Sequence, residues 1–89
     1  MKKSVGSFLV DDAFRITGRG WVLTGSVEGQ IEIGYRLDFG SGVVLQVSGV
    51  EMLRKARTDN FGLLVSNQFK LRQELIDLNI IGATAQILE

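Results

Sequence analysis

Glycine alone punctuates this chain: proline is absent from its 89 residues, and eleven glycines mark the breaks. Between them, side chains alternate with a period of two. Phe14 and Ile16 alternate with Arg15 and Thr17; Tyr35, Leu37 and Phe39 with Arg36 and Asp38; Val43, Leu45 and Val47 with Val44, Gln46 and Ser48. Phe61, Leu63 and Val65 alternate in the same way with Gly62, Leu64 and Ser66. That period, in segments rich in β-branched and aromatic residues, belongs to half-buried strands. It predicts strands near 7–16, 20–28, 35–39, 43–49, 50–56, 61–66 and 84–88. Short strands joined by glycine turns predict an all-β fold, a small six- to seven-stranded, mainly antiparallel barrel, closed or nearly closed. Its core is expected from Phe8, Ile16, Leu23, Val27, Leu37, Leu45 and Leu63. One segment stays open. In KLRQELIDLN, Leu71, Leu75 and Leu78 fit a helical turn, whereas Ile76, Leu78 and Ile80 fit a strand.

Composition narrows the chemistry. At this length the chain holds one domain, 1–89, with a single core. Hydrophobic residues form 45% of it, above the range of disordered chains. Ten basic residues balance ten acidic ones, so no global field draws the protein to a polyanion or a membrane. Cysteine and histidine are both absent, which removes disulfides, thiol nucleophiles, thiolate or imidazole metal sites and an imidazole base. The segment MKKSVGSFLV lacks the apolar run of a signal peptide, and no segment reaches the ~18 apolar residues of a membrane helix. A cytoplasmic protein with no cofactor or metal is the expectation.

The motifs point away from catalysis. Gly18-Arg19-Gly20 lacks the third glycine of a dinucleotide fingerprint, where Leu23 stands, and precedes a strand pattern rather than a helix. GSGVVL, at 40–45, has no lysine and hydroxyl pair to hold phosphates, so GTP is not expected to bind. These glycines read as turn residues. Gly25 is different, because it interrupts an alternating strand and so marks a bulge or a close backbone approach. Asp11 and Asp12 are adjacent, and neighbouring strand residues face opposite ways, so they do not form a carboxylate dyad. Arg54, Lys55 and Arg57, with Arg15 and Arg19 earlier, make a basic set able to meet a few phosphates or to sit in solvent. Trp21 reads as packing rather than as a platform for a base.

Taken together, FRITGRGWVLTG and SGVEMLRK resemble the second domain of elongation factor Tu and related translational GTPases. That domain is a β-barrel with a Phe-x-Ile-x-Gly-Arg-Gly-x-Val-x-Thr-Gly strand pair and a later Gly-Val-Glu-Met strand. The matching positions are Phe14, Ile16, Gly18, Arg19, Gly20, Val22, Thr24 and Gly25, then Gly49, Val50, Glu51 and Met52, and the match continues at Asn60 and Gly62. It spans roughly residues 7–66. The turn after Glu28 is one residue shorter than in elongation factor Tu, and the stretch between Lys55 and Asp59 is abbreviated. The resemblance implies a binding platform without chemistry of its own. It implies that Ile16, Val22 and Leu64 touch a terminal adenine, and that Glu51 and Arg54 stand beside that adenosine. Phe14, Thr24, Asn60 and the pair Asp11 and Asp12 would lie near an aminoacyl group. The implied partner is a translation component: a transfer RNA 3′ end, ribosomal RNA or a factor. The alternative is a protein-interaction module of the same fold that pairs through an exposed strand edge and binds no RNA.

Overall fold

A computed structural model describes residues 4–55, 58–67 and 69–89, with the side chains of 53–59 outside the description. The order is β1 (Ser4–Ile16), β2 (Gly20–Gly29), β3 (Arg36–Asp38), β4 (Val44–Lys55), β5 (Thr58–Val65), α1 (Arg72–Asp77) and β6 (Thr84–Leu88). The strands close into one ring, β1-β2-β5-β4-β3-β6, in which every neighbouring pair is antiparallel. The expected barrel is therefore present, with six strands.

The β1–β2 hairpin turns on the Gly-Arg-Gly motif. Arg19 N donates to Ile16 O at 3.0 Å, and Gly18 has a φ of 82°. A positive φ at the third residue of a four-residue turn is what a type II turn demands, and glycine supplies it without a steric penalty. The interior fills from alternate residues of all six strands. Phe8, Leu23, Leu37, Leu63, Ala85 and Ile87 are completely buried, joined by Val10, Leu45, Val47 and Val65. Trp21 is buried as expected, and its indole Nε1 donates to Phe69 O at 2.7 Å, which ties the segment after β5 to the barrel.

Two bulges set which side chains face out. In β1 the pairing with β2 slips between Val10 and Asp12, opposite Gly25. A Cβ at Gly25 would overlap the Leu9 carbonyl oxygen, so only glycine admits this approach. Before the slip, Phe8 and Val10 point inward; after it, the inward residue is Ala13. A one-residue slip turns every later side chain over. Phe14 and Ile16 consequently leave the core and face outward. In β4 the register with β5 slips between Val47 and Gly49. Val47 and Val50 pack inward on either side of that slip, which sends Glu51 outward.

The sequence expectations change accordingly. The segments 43–49 and 50–56, read as separate strands, form one bulged strand, β4, as far as Lys55. Ile16, expected in the core, is only partly buried, because the β1 bulge moved it to the outer wall. Val27 faces the core but is half-buried against its margin. The ambiguous segment contains a short helix, α1, of which Leu75 alone is buried, while Leu71 and Leu78 are exposed. Asn79, with a φ of 57°, follows the helix, and Ile80 drops back into the core. Arg72 on α1 bonds to Asp12 in the β1 bulge. Both side chains are exposed, so this tether contributes only about 0–1 kcal/mol. Among the described residues no helix is long and apolar enough to cross a membrane.

Candidate functional site

The outward halves of β1, β2, β5 and β4 meet side by side. Phe14 pairs with Val22, Val22 with Leu64, and Leu64 with Gly49. One step along, Asp12 pairs with Thr24, Thr24 with Gly62, and Gly62 with Glu51. Large and absent side chains thus adjoin, and the surface hollows. The hollow holds about 270 Å3 and is lined by Ile16, Arg19, Val22, Ile33, Ser48, Gly49, Val50, Glu51, Gly62 and Leu64. Such a volume lies at the small end of ligand sites, roughly 300–1,000 Å3. A Cβ on Gly49 would come to 3.1 Å from the Leu64 Cβ, so glycine lets Leu64 fill this wall.

Its walls are apolar and its rim is charged. Val22 is 8% exposed, yet it lies outside the core cluster that contains its neighbours Trp21 and Leu23. Arg19, at the hairpin, and Glu51, on β4, face one another across the rim with Nη1 and Oε1 4.0 Å apart. Their side chains are 60% and 64% exposed, so the pair is loose and both groups stay available. Ser48 Oγ donates to Leu64 O at 3.2 Å.

Ile33 comes from the turn before β3. Tyr35 N donates to Glu32 O at 3.1 Å, and the Tyr35 hydroxyl donates to Glu32 Oε2 at 2.8 Å. Gly34 N and Val47 O, and Val47 N and Tyr35 O, bond at 2.8 Å each and pin the turn to β4. The hydrogen bond to the Glu32 carboxylate, then desolvation and the charges of Glu32 and Glu89, raise the Tyr35 phenol above its ordinary pKa of 10.0.

Of the nine residues expected at a site, Ile16, Arg19, Val22, Glu51 and Leu64 line this one cavity. Phe14, 45% exposed, stands beside Val22 but outside the lining, and Thr24 donates to Asp12 O at 3.4 Å one row away. Asn60 sits on β5 opposite Leu53, also outside it. Arg54 pairs with Asp59 along the backbone, but its side chain is among those not described, and Arg57 lies outside the described residues. Among the described side chains Glu51 meets Arg19. Ile33 and Ser48 were missed from sequence. Ile33 continues the period-two run of Tyr35, Leu37 and Phe39, which marks it as a strand position and not as a site, whereas Gly49 inside an alternating run carried the bulge signal that also exposes Ser48.

A second cavity, of about 300 Å3, shares Ile16, Arg19 and Ser48 with the first and continues past Arg15, Trp21, Ser66 and Asn67. Among the described residues no group of carboxylates, cysteines or histidines could hold a metal ion. Fold and site together define a small closed β-barrel carrying an apolar, charge-rimmed hollow on its outer wall. No family model and no solved structure matches the chain.

Proposed function

We propose that this barrel is a non-enzymatic binding module for a translation component, and that its outer cavity holds the terminal base of an RNA 3′ end. The observation that carries this proposal is the convergence of Ile16, Val22 and Leu64 with Arg19 and Glu51. A barrel core does not need these five side chains together on the outside. Apolar walls suit the faces of a base, a carboxylate accepts hydroxyl or amino hydrogens, and a guanidinium donates to carbonyl or phosphate oxygen. The motif resemblance supports the same assignment.

A titration followed by nuclear magnetic resonance, with adenosine and with the trinucleotide CCA, tests the proposal. Shifts should cluster at Ile16, Val22, Leu64 and Glu51. Glu51→Ala should leave the fold intact and cost about 1–3 kcal/mol of affinity, roughly tenfold to a hundredfold. Saturating ligand without a response at these residues would discard RNA-end recognition.

One feature favours the protein-interaction alternative. The β2–β5 register runs only from Trp21 to Gly25, so among the described residues Ser26–Gly29 pair with β1 alone. That unpaired flank is a site for strand addition. Protein capture that Glu51→Ala does not affect, with no RNA response, would select it.

A further inference from the structure

β4 is 12 residues long, yet β3 pairs with only Val44–Gln46 of it. The turn before β3 covers one residue more. Val47 O accepts from Gly34 N, and Val47 N donates to Tyr35 O, at 2.8 Å each. Beyond Val47 the ring leaves that side of β4 without a strand, while β5 continues along the other side as far as Thr58 opposite Lys55. Among the described residues, no backbone bond reaches β4 beyond Val47 except from β5.

The pairing phase identifies the idle groups. In an antiparallel ladder, successive residues turn their N–H and C=O to opposite neighbours. Gln46 O accepts from Ser66 N at 2.9 Å, so Gln46 bonds on the β5 side and Val47 on the β3 side. The bulge then sets Ser48 and Gly49 together against Leu64, and alternation resumes. Glu51 and Leu53 therefore bond toward β5, and Val50, Met52 and Arg54 turn their backbone groups to the open side. Two common guards of an edge are missing: the chain has no proline, and among the described residues β4 has no bulge after Gly49.

We infer that this open side pairs with the same side of a second copy of the chain, antiparallel about a two-fold axis at Leu53. An axis at a residue keeps outward positions opposite outward ones. Met52 then exchanges backbone bonds with Arg54 of the second copy, and Arg54 with its Met52. The sequence suits this register, because Glu51 faces Lys55 across the axis in both directions. An axis at Glu51 or at Arg54 would instead set like charges face to face.

Met52 supplies the apolar part. It stands opposite Phe61 and two residues after Val50, both of which pack on the core, and yet it is 56% exposed. Across the axis the two copies of Met52 are diagonal neighbours, roughly 7–8 Å apart and within reach of long side chains. They would cover apolar surface that one copy leaves in water. The formal net charge of +0 puts no long-range repulsion between copies. A two-fold pair uses up the edge, so association stops at two. This inference does not depend on what the outer cavity binds, and β5 separates the β4 edge from the free flank of β2.

Sedimentation of the intact chain at increasing concentration tests it. So short an edge makes a weak contact, and the dimer should be half formed at about 100 μM. Amide resonances of Val50, Met52 and Arg54 should move with concentration, while those of β6 stay still. Met52→Pro removes an N–H that has no partner within one copy, so it should keep the strand spectrum and stay monomeric. Met52→Lys keeps that N–H, places two ammonium groups beside the axis and should weaken association about tenfold. It decides the matter even if the proline variant fails to fold. Glu51→Lys should weaken association as well, and adding Lys55→Glu should restore it.

A chain that stays monomeric up to about 1 mM, tenfold above the expected midpoint, would overturn the inference. So would a dimer that Met52→Lys leaves intact, because its contact would then lie elsewhere, as on the β2 flank. Failure of the charge exchange to restore association would overturn the axis at Leu53.

Discussion

Along β2, Leu23 points into the barrel at 0% exposure and Val22 points out of it at 8%. Exposure barely separates them, and yet they belong to different structures. Leu23 pairs with Ala13 and Leu63, in the cluster that holds the fold together. Val22 pairs with Phe14 and Leu64, in a row that no interior layer needs. The inner wall is apolar because six strands must bury something in common. Between the two bulged strands the outer wall is apolar as well, and there it is hollow rather than filled. Burial by itself therefore does not distinguish a core residue from one that lines a cavity on the outer wall.

The largest effect should come from the inner wall. Leu23→Ala empties a fully buried position in a closed ring and should cost about 2–5 kcal/mol, read as a lower urea midpoint with an unchanged slope. Val22→Thr keeps the shape and adds a hydroxyl to a cavity open to water. It should cost about 1 kcal/mol of stability or less, and a similar amount of adenosine affinity, roughly fivefold. If Val22→Thr unfolded the barrel as Leu23→Ala does, the outer row would have to be counted as core and the comparison would fail.

The smallest effect concerns the turn that presents Ile33. Because folding raises the Tyr35 pKa, the contribution of its hydrogen bond is complete below about pH 10 and disappears as pH rises through the folded-state value. Tyr35 is the only tyrosine, so its absorbance titration is unobscured. Glu32→Gln should return that titration toward pH 10, with little change in stability near neutrality. A titration unmoved by Glu32→Gln would show that the turn does not depend on this bond.

Period-two alternation was enough to locate the strands and to pick Phe8, Leu23, Leu37, Leu45 and Leu63 as core, all of them buried. It failed at Ile16, for a physical reason. Alternation keeps phase only while pairing is regular, and one extra residue near Asp11 inverts everything after it. Gly25 announced the close approach, but a glycine does not say which partner strand will bulge. Alternation divides β4 into two strands for the same reason, since a bulge and a turn both interrupt it. Helix α1 was only half legible, because its apolar residues satisfy both periods and tertiary packing chose Leu75. The candidate cavity was legible as residue types linked to a motif, while Ile33 arrives from a turn whose position depends on bonds to β4.

Ring closure has a further consequence, for the order in which the protein assembles. β6 seals the barrel by lying between β1 and β3, joining Phe8 to Ala85 and Leu37 to Ile87. Contacts so distant along the chain are reached only after long loops have lost their freedom, which slows folding into the range of roughly milliseconds to seconds. Until β6 docks, β1 and β3 each present an open edge able to capture a strand from another molecule. The step that completes the core is thus also the step that ends the exposure to aggregation.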